Sequence, residues 1–228
     1  MKTMSALALA GGAVLGATFG AVAVLRGSKP LHPVGVLRHG TLSIRPGAAS
    51  TGVPLLDEPG EHECLVRLSR ATGLPVPLPD IHGAAIRLDA QGDPVDLLFA
   101  GTGQGRLTRH VLVPRRAVGR GALTTLIPLR SAHGPLLLGL FPDPGEDAEP
   151  GAFTVRISRP GGPWQSRGRL SLGATVTGEA DPPLRFDTVL HPVPGLDHYP
   201  TERALREPAY AAARRGWPVE AETGSVGQ

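Results

Sequence analysis

From Val34 onward the chain is dominated by apolar and polar residues in alternation. Val34-Gly-Val-Leu-Arg-His-Gly-Thr-Leu-Ser-Ile-Arg45 alternates and is rich in strand formers, the pattern of a half-buried strand. A loop over 46–62 with Pro46, Pro54 and Pro59 follows, and Cys64 to Arg70 alternates again. Ala84 to Leu88 and Val95 to Ala100 flank Asp89-Ala-Gln-Gly-Asp93, whose Gly92 suits a hairpin turn. Thr154 to Ser158 and Gly168 to Leu172 flank Arg159-Pro-Gly-Gly-Pro163 and predict a second hairpin. The apolar stretch Leu123 to Leu140, interrupted by Pro128 and His133-Gly134-Pro135, is compatible with strand or short helix. Thr201 to Arg215 places Ala204, Leu205, Ala209, Ala212 and Ala213 on compatible faces and predicts a C-terminal helix.

Several hairpins and a terminal helix predict a mainly β fold, a closed antiparallel barrel. Closure removes the exposed strand edges that a long β chain must otherwise protect. Upstream, residues 5–25 carry no charge, and as a helix they would span ~30 Å, about one hydrocarbon core. Gly12, Gly16 and Gly20 line one face with small residues. A membrane anchor, an export signal cleaved near Ala21-Val22-Ala23, and an Ala/Gly-rich helix packed on protein all fit. Arg26 and Lys29 follow the segment and only Lys2 precedes it, which favours a cytoplasmic barrel if the segment spans. The expected organisation is a hydrophobic N-terminal segment over 1–27, a barrel domain over 28–216 and a tail over 217–228, membrane-associated or exported.

Composition narrows the function. A hydrophobic share of 41% supports a real core despite Gly 31 and Pro 24. The net charge of +3 is too small and too dispersed for nucleic acid. Cys64 is alone, so no intrachain disulfide forms. Asparagine is absent from the sequence, which matters for the first candidate motif. Asp80-Ile81-His82-Gly83 and Gly92-Asp93-Pro94-Val95-Asp96 resemble two patches of the dinuclear metallophosphoesterases, in which carboxylate and imidazole ligate divalent ions. The third patch of that site needs Asn, and none exists. A turn aspartate and a loop histidine are the plainer reading of Asp80 and His82.

The same stretch takes part in a longer ordered pattern. Val66-Arg67-Leu68-Ser69 with Gly73 is followed by Asp80-Ile81-His82-Gly83-Ala84-Ala85-Ile86-Arg87, then by Gly92 and Asp96-Leu97. His32-Pro-Val-Gly35-Val-Leu-Arg-His-Gly40 precedes it and Arg206-Glu-Pro-Ala-Tyr210 closes it. In this order the patches resemble the haem-dependent catalase superfamily, as a short divergent bacterial member.

That resemblance implies a catalase-like barrel binding haem b. Tyr210 would ligate the iron as a phenolate, and Arg206 one turn back would hold the phenol ionised. His32 would be the distal acid-base group, oriented by Ser69. Lys29 and His82 stand where the family places propionate-binding arginines, and His82 contributes a cation only if protonated. Ala100-Gly101 replaces the family's distal Asn, and Pro208 falls between Arg206 and Tyr210, where a proline disturbs a helix. These features lead to a haem-binding barrel that consumes peroxide weakly. The alternative is a haem-free relative that binds an apolar small molecule or a partner, including a second copy of the chain, and a phosphodiesterase using Asp80 and His82 ranks third.

Overall fold

The protein is described from a computed structural model, over residues 34–45, 47, 49–90, 92–143, 150–176, 184, 186–200 and 202. Nine strands follow in order: β1 Val34–Ile44, β2 Gly60–Arg70, β3 His82–Ala90, β4 Asp93–Gly101, β5 Leu123–Thr124, β6 Leu129–Ser131, β7 Gly134–Pro142, β8 Ala152–Ser158 and β9 Gln165–Thr175. One short helix, α1 Pro54–Asp57, precedes β2. The barrel falls in a compact unit, Leu31–Tyr199; a second unit combines Met1–Pro30 and Pro200–Gln228. Only Pro200 and Glu202 of that second unit are described. The expected N-terminal hydrophobic helix, almost all of the expected C-terminal helix and the tail therefore lie outside the described residues. No described helix is long and apolar enough to cross a membrane.

The strands pair in the order β5-β4-β3-β2-β1-β9-β8-β7, and β5 pairs back onto β7. This closes an eight-stranded antiparallel barrel, as the alternation predicts, with β6 as a short extra arm hairpinned to β7. One face of each strand supplies the filling. Leu42 and Ile44 of β1, Val66 of β2, Ile86 and Leu88 of β3, and Leu97 and Phe99 of β4 join Leu138, Leu140, Phe153, Val155 and Leu170 in one buried cluster. The lumen is a packed core, as in other small barrels.

The undecided stretch Leu123 to Leu140 is strand throughout its regular parts, because its two ends must complete the ring. β5 is two residues long yet pairs with both β4 and β7. The loop expected over 46–62 is shorter than that. α1 forms inside it, and β2 starts at Gly60, four residues before the alternation becomes apolar. Polar Glu61 and Glu63 sit opposite Ser43 and Thr41 of β1 and bond their hydroxyls. A solvent-facing strand end of that kind carries no hydrophobic signal. Within the loop, the Asp57 carboxylate accepts the main-chain N–H of Thr51 at 2.8 Å and of Gly52 at 2.9 Å, plus the hydroxyls of Ser50 and Thr51.

Candidate functional site

The register of β1 to β4 arranges their outward residues in rows across the wall. Gly35, Ser69, Gly83 and Ala100 stand side by side in one row. The next row is Leu37, Arg67, Ala85 and Leu98, and the third is His39, Leu65, Arg87 and Asp96. Among the described residues, the wall positions around Ser69 are small: Gly35, Gly83, Ala85 and, one strand further, Ala100. A Cβ on Gly35 would stand 2.7 Å from the guanidinium carbon of Arg67. Glycine at 35 therefore lets the Arg67 side chain lie flat along the same wall.

The third row is roofed. The Asp96 carboxylate is fully buried and takes a two-pronged contact from Arg87, Nε to Oδ1 at 2.8 Å and the outer nitrogen to Oδ2 at 2.7 Å. The same Oδ2 accepts the main-chain N–H of Asp187 at 2.7 Å and lies 3.0 Å from His191 Nδ1. The Asp96 N–H donates to the His191 carbonyl at 2.8 Å, and the Arg87 guanidinium sits over the Phe186 ring. One buried charge thus fastens the segment around Phe186 to His191 onto the outer barrel wall. Such a carboxylate is tolerated only because a guanidinium and several N–H groups compensate its desolvation.

Asp80 and His82 part company at the start of β3. The Asp80 carboxylate accepts main-chain N–H groups from Thr72 at 3.1 Å, Leu74 at 3.2 Å and Ile81 at 2.7 Å. Burial alone would raise its pKa, but these bonds and the Thr72 hydroxyl outweigh burial and hold it below the usual carboxylate range. His82 shares the inward face with Ala84, Ile86 and Leu88, opposite to Ser69 and Asp96. Its Nε2 lies 3.0 Å from the Arg115 carbonyl, to which the neutral ring donates. Burial depresses its pKa, so the imidazole is uncharged at neutral pH.

This geometry gives the two-metal reading no support. His82 and Asp96 occupy opposite faces of the sheet, and both aspartates, 80 and 96, are committed to main-chain N–H groups. Among the described residues no cluster of three or more His, Cys, Asp or Glu side chains is arranged to hold a metal. The expected propionate role of His82 meets the same obstacle, since its ring faces away from the Ser69 floor and carries no charge. Of the other expected site residues, Ser69 is on the outer floor. Lys29, His32, Arg206 and Tyr210 lie outside the described residues.

Comparison of the whole fold with solved structures supplies the rest. A fungal catalase, in a crystal structure at 1.9 Å, superposes with a TM-score of 0.62 and 13% identity, over 82% of this chain and 59% of its own. A bacterial catalase superposes with a TM-score of 0.59 and 14% identity, over 86% of this chain and 59% of its own. The fold is catalase-like. At such identity the likeness concerns the fold alone, and the chain spans only about 59% of the length of either catalase. No family model matches the sequence, and no curated protein matches it.

Within this catalase-like barrel, two features escaped the sequence. Arg67 was visible only as part of a motif, and its approach to Gly35 comes from the β1–β2 register. The Asp96–Arg87–His191 clamp joins residues 95 positions apart, for which no sequence signal exists. An open cleft of about 550 Å³ also lies three strands away, against Gln104, Arg120, Phe141 and Arg156, where the Arg156 guanidinium stacks 4.4 Å from the Phe141 ring centroid. Its described lining includes neither Ser69 nor His82.

Proposed function

We propose that the outer wall around Ser69 binds haem b and that the loaded protein consumes peroxide weakly. The observation behind this reading is the row of small residues Gly35–Ser69–Gly83–Ala100 on a catalase-like barrel. Four adjacent strands give a floor roughly 14 Å wide, whose row residues are small and over which the Arg67 guanidinium extends at Gly35. Bound haem would supply the redox iron on which peroxide is split.

The chain's own groups have distinct tasks in this reading. The Tyr210 phenolate holds the iron, and the Arg206 cation keeps that phenol ionised at neutral pH. Lys29 and Arg67 receive the carboxylate edge, since His82 is neutral and faces inward. His32 moves the peroxide proton and Ser69 orients its ring. The covalent chain alone keeps the His32 Cα within about 11 Å of Gly35, the neighbour of Ser69. Ala100 offers no amide to position peroxide, which is why turnover is weak.

Purification with haem supplied, followed by a visible spectrum, tests the proposal. A Soret band is expected in the natural protein and its loss or marked shift in Tyr210→Phe. No band in either protein rejects haem binding. The inward, neutral His82 and the missing amide at Ala100 favour a second reading, a haem-free barrel that binds an apolar small molecule on the same floor. That reading requires a melting temperature unchanged by haem.

A further inference from the structure

The connection from β2 to β3 is the most apolar exposed element among the described residues. Leu74-Pro-Val-Pro-Leu-Pro79 contains no polar side chain, and all six residues are exposed. Val76 is 79% exposed, Leu78 49% and Leu74 39%. The base of the loop is firmly held. Asp80 takes the N–H groups of Thr72 and Leu74, and an outer nitrogen of Arg70 donates to the Leu78 carbonyl at 2.8 Å.

Its backbone is as unusual as its side chains. Three of the six residues are prolines and have no N–H to satisfy. Of the remaining three, the Leu74 N–H bonds Asp80 and the Leu78 N–H bonds the Pro75 carbonyl at 2.9 Å. Only the Val76 N–H at the tip is left over from these bonds. An unpaired backbone group is the main cost of placing irregular chain in a lipid environment. This loop presents aliphatic side chains with nearly every donor removed or internally paired.

Topology adds a second, independent observation. β1 starts at Val34, opposite Arg70, where β2 ends. The chain from the uncharged stretch 5–25 therefore enters the barrel at the same end as the loop. Nine peptide steps separate Leu25 from Val34, a reach of about 30 Å at most. A bilayer engaged by residues 5–25 is thus separated by about 30 Å of extended chain at most from the start of β1.

From these observations we propose that Leu74, Val76 and Leu78 form a tip that enters the interfacial layer of a lipid bilayer and orients the barrel on it. The inference does not depend on haem, so neither reading's failure touches the other. Binding through residues 5–25 alone would leave the loop in water, so the readout belongs at the loop. Cys64 is buried and its thiol is pushed up to about 12 by burial and the Glu63 charge. A Val76→Cys variant of the full chain thus has one reactive thiol for an environment-sensitive fluorophore.

With vesicles of phosphatidylcholine and phosphatidylglycerol, the probe is expected to brighten several-fold and to be quenched by spin-labelled lipid. A companion variant, Val76→Ser with Leu78→Ser, should lower vesicle partitioning by roughly tenfold if the tip contributes. Three outcomes overturn the proposal. The labelled protein pellets with vesicles while the probe stays as in water, or the protein fails to pellet. Alternatively, the probe is already bright without lipid, in which case the chain itself or a second copy covers the loop.

Discussion

At the scale of single residues, His82 illustrates how a side chain is assigned by its surroundings. β3 alternates faces, and position 82 falls on the inner one, above Ala84 and Ile86. An imidazole there loses water and keeps one good bond, to the Arg115 carbonyl, so the neutral form is preferred. The unfolded chain binds a proton near the ordinary histidine value of about 6.5, and the folded chain binds it only at lower pH. The His82 contribution to stability is therefore complete above that value and declines as pH falls below it. Urea midpoints taken at about pH 7 and about pH 5.5 should show a smaller drop for His82→Gln than for the natural protein. Asp57 and Asp80, both depressed by accepted N–H bonds once these overcome burial, stabilise the fold above the ordinary carboxylate range and lose that effect below it. Their titration lies lower on the pH axis and is separable from that of His82. The tetrapeptide Asp80-Ile-His-Gly83 was legible as a turn aspartate followed by a strand. Its imidazole's direction was not, because nothing in the motif fixes which face residue 82 takes.

At the scale of elements, glycines show where strands approach too closely for a side chain. A Cβ on Gly168 would stand 2.1 Å from the Ser43 carbonyl, backbone against backbone across the β9–β1 seam. Gly168→Ala should cost roughly 2–4 kcal/mol, measured by chemical denaturation, since neither strand can yield. Gly35→Ala meets only the end of the Arg67 side chain, so its cost should stay below about 1 kcal/mol. It should nevertheless weaken haem binding severalfold if the outer floor is the site, because Arg67 must leave its position. Alternation announced most of these strands in the sequence. It failed at the start of β2, where both faces are polar, and at β5 and β6, which are too short to show a period.

At the scale of the whole molecule, closure and roofing involve distant partners. The two-residue β5 joins β4 to β7 and turns an open sheet into a ring. Asp96 then pins the segment near His191 to that ring. Asp96→Ala removes the buried carboxylate that the Arg87 guanidinium and the Asp187 N–H share. A loss of about 3–5 kcal/mol is expected, with faster proteolysis around residues 186–191 than in the natural protein. If proteolysis there is unchanged, the segment is held by its apolar contacts and not by the clamp.

The sequence by itself determined that the chain is mainly β, because period-two alternation and Gly/Pro punctuation are local properties. It also set the order of the patches that resemble catalases, and the apolar, proline-rich character of residues 74–79. Tertiary structure alone decided which residues of different strands share a row. Ser69 acquired Gly35, Gly83 and Ala100 as neighbours, and Asp96 acquired His191, only through strand register and barrel closure. Those contacts join residues far apart along the chain, and their free energy exists only once the ring has closed.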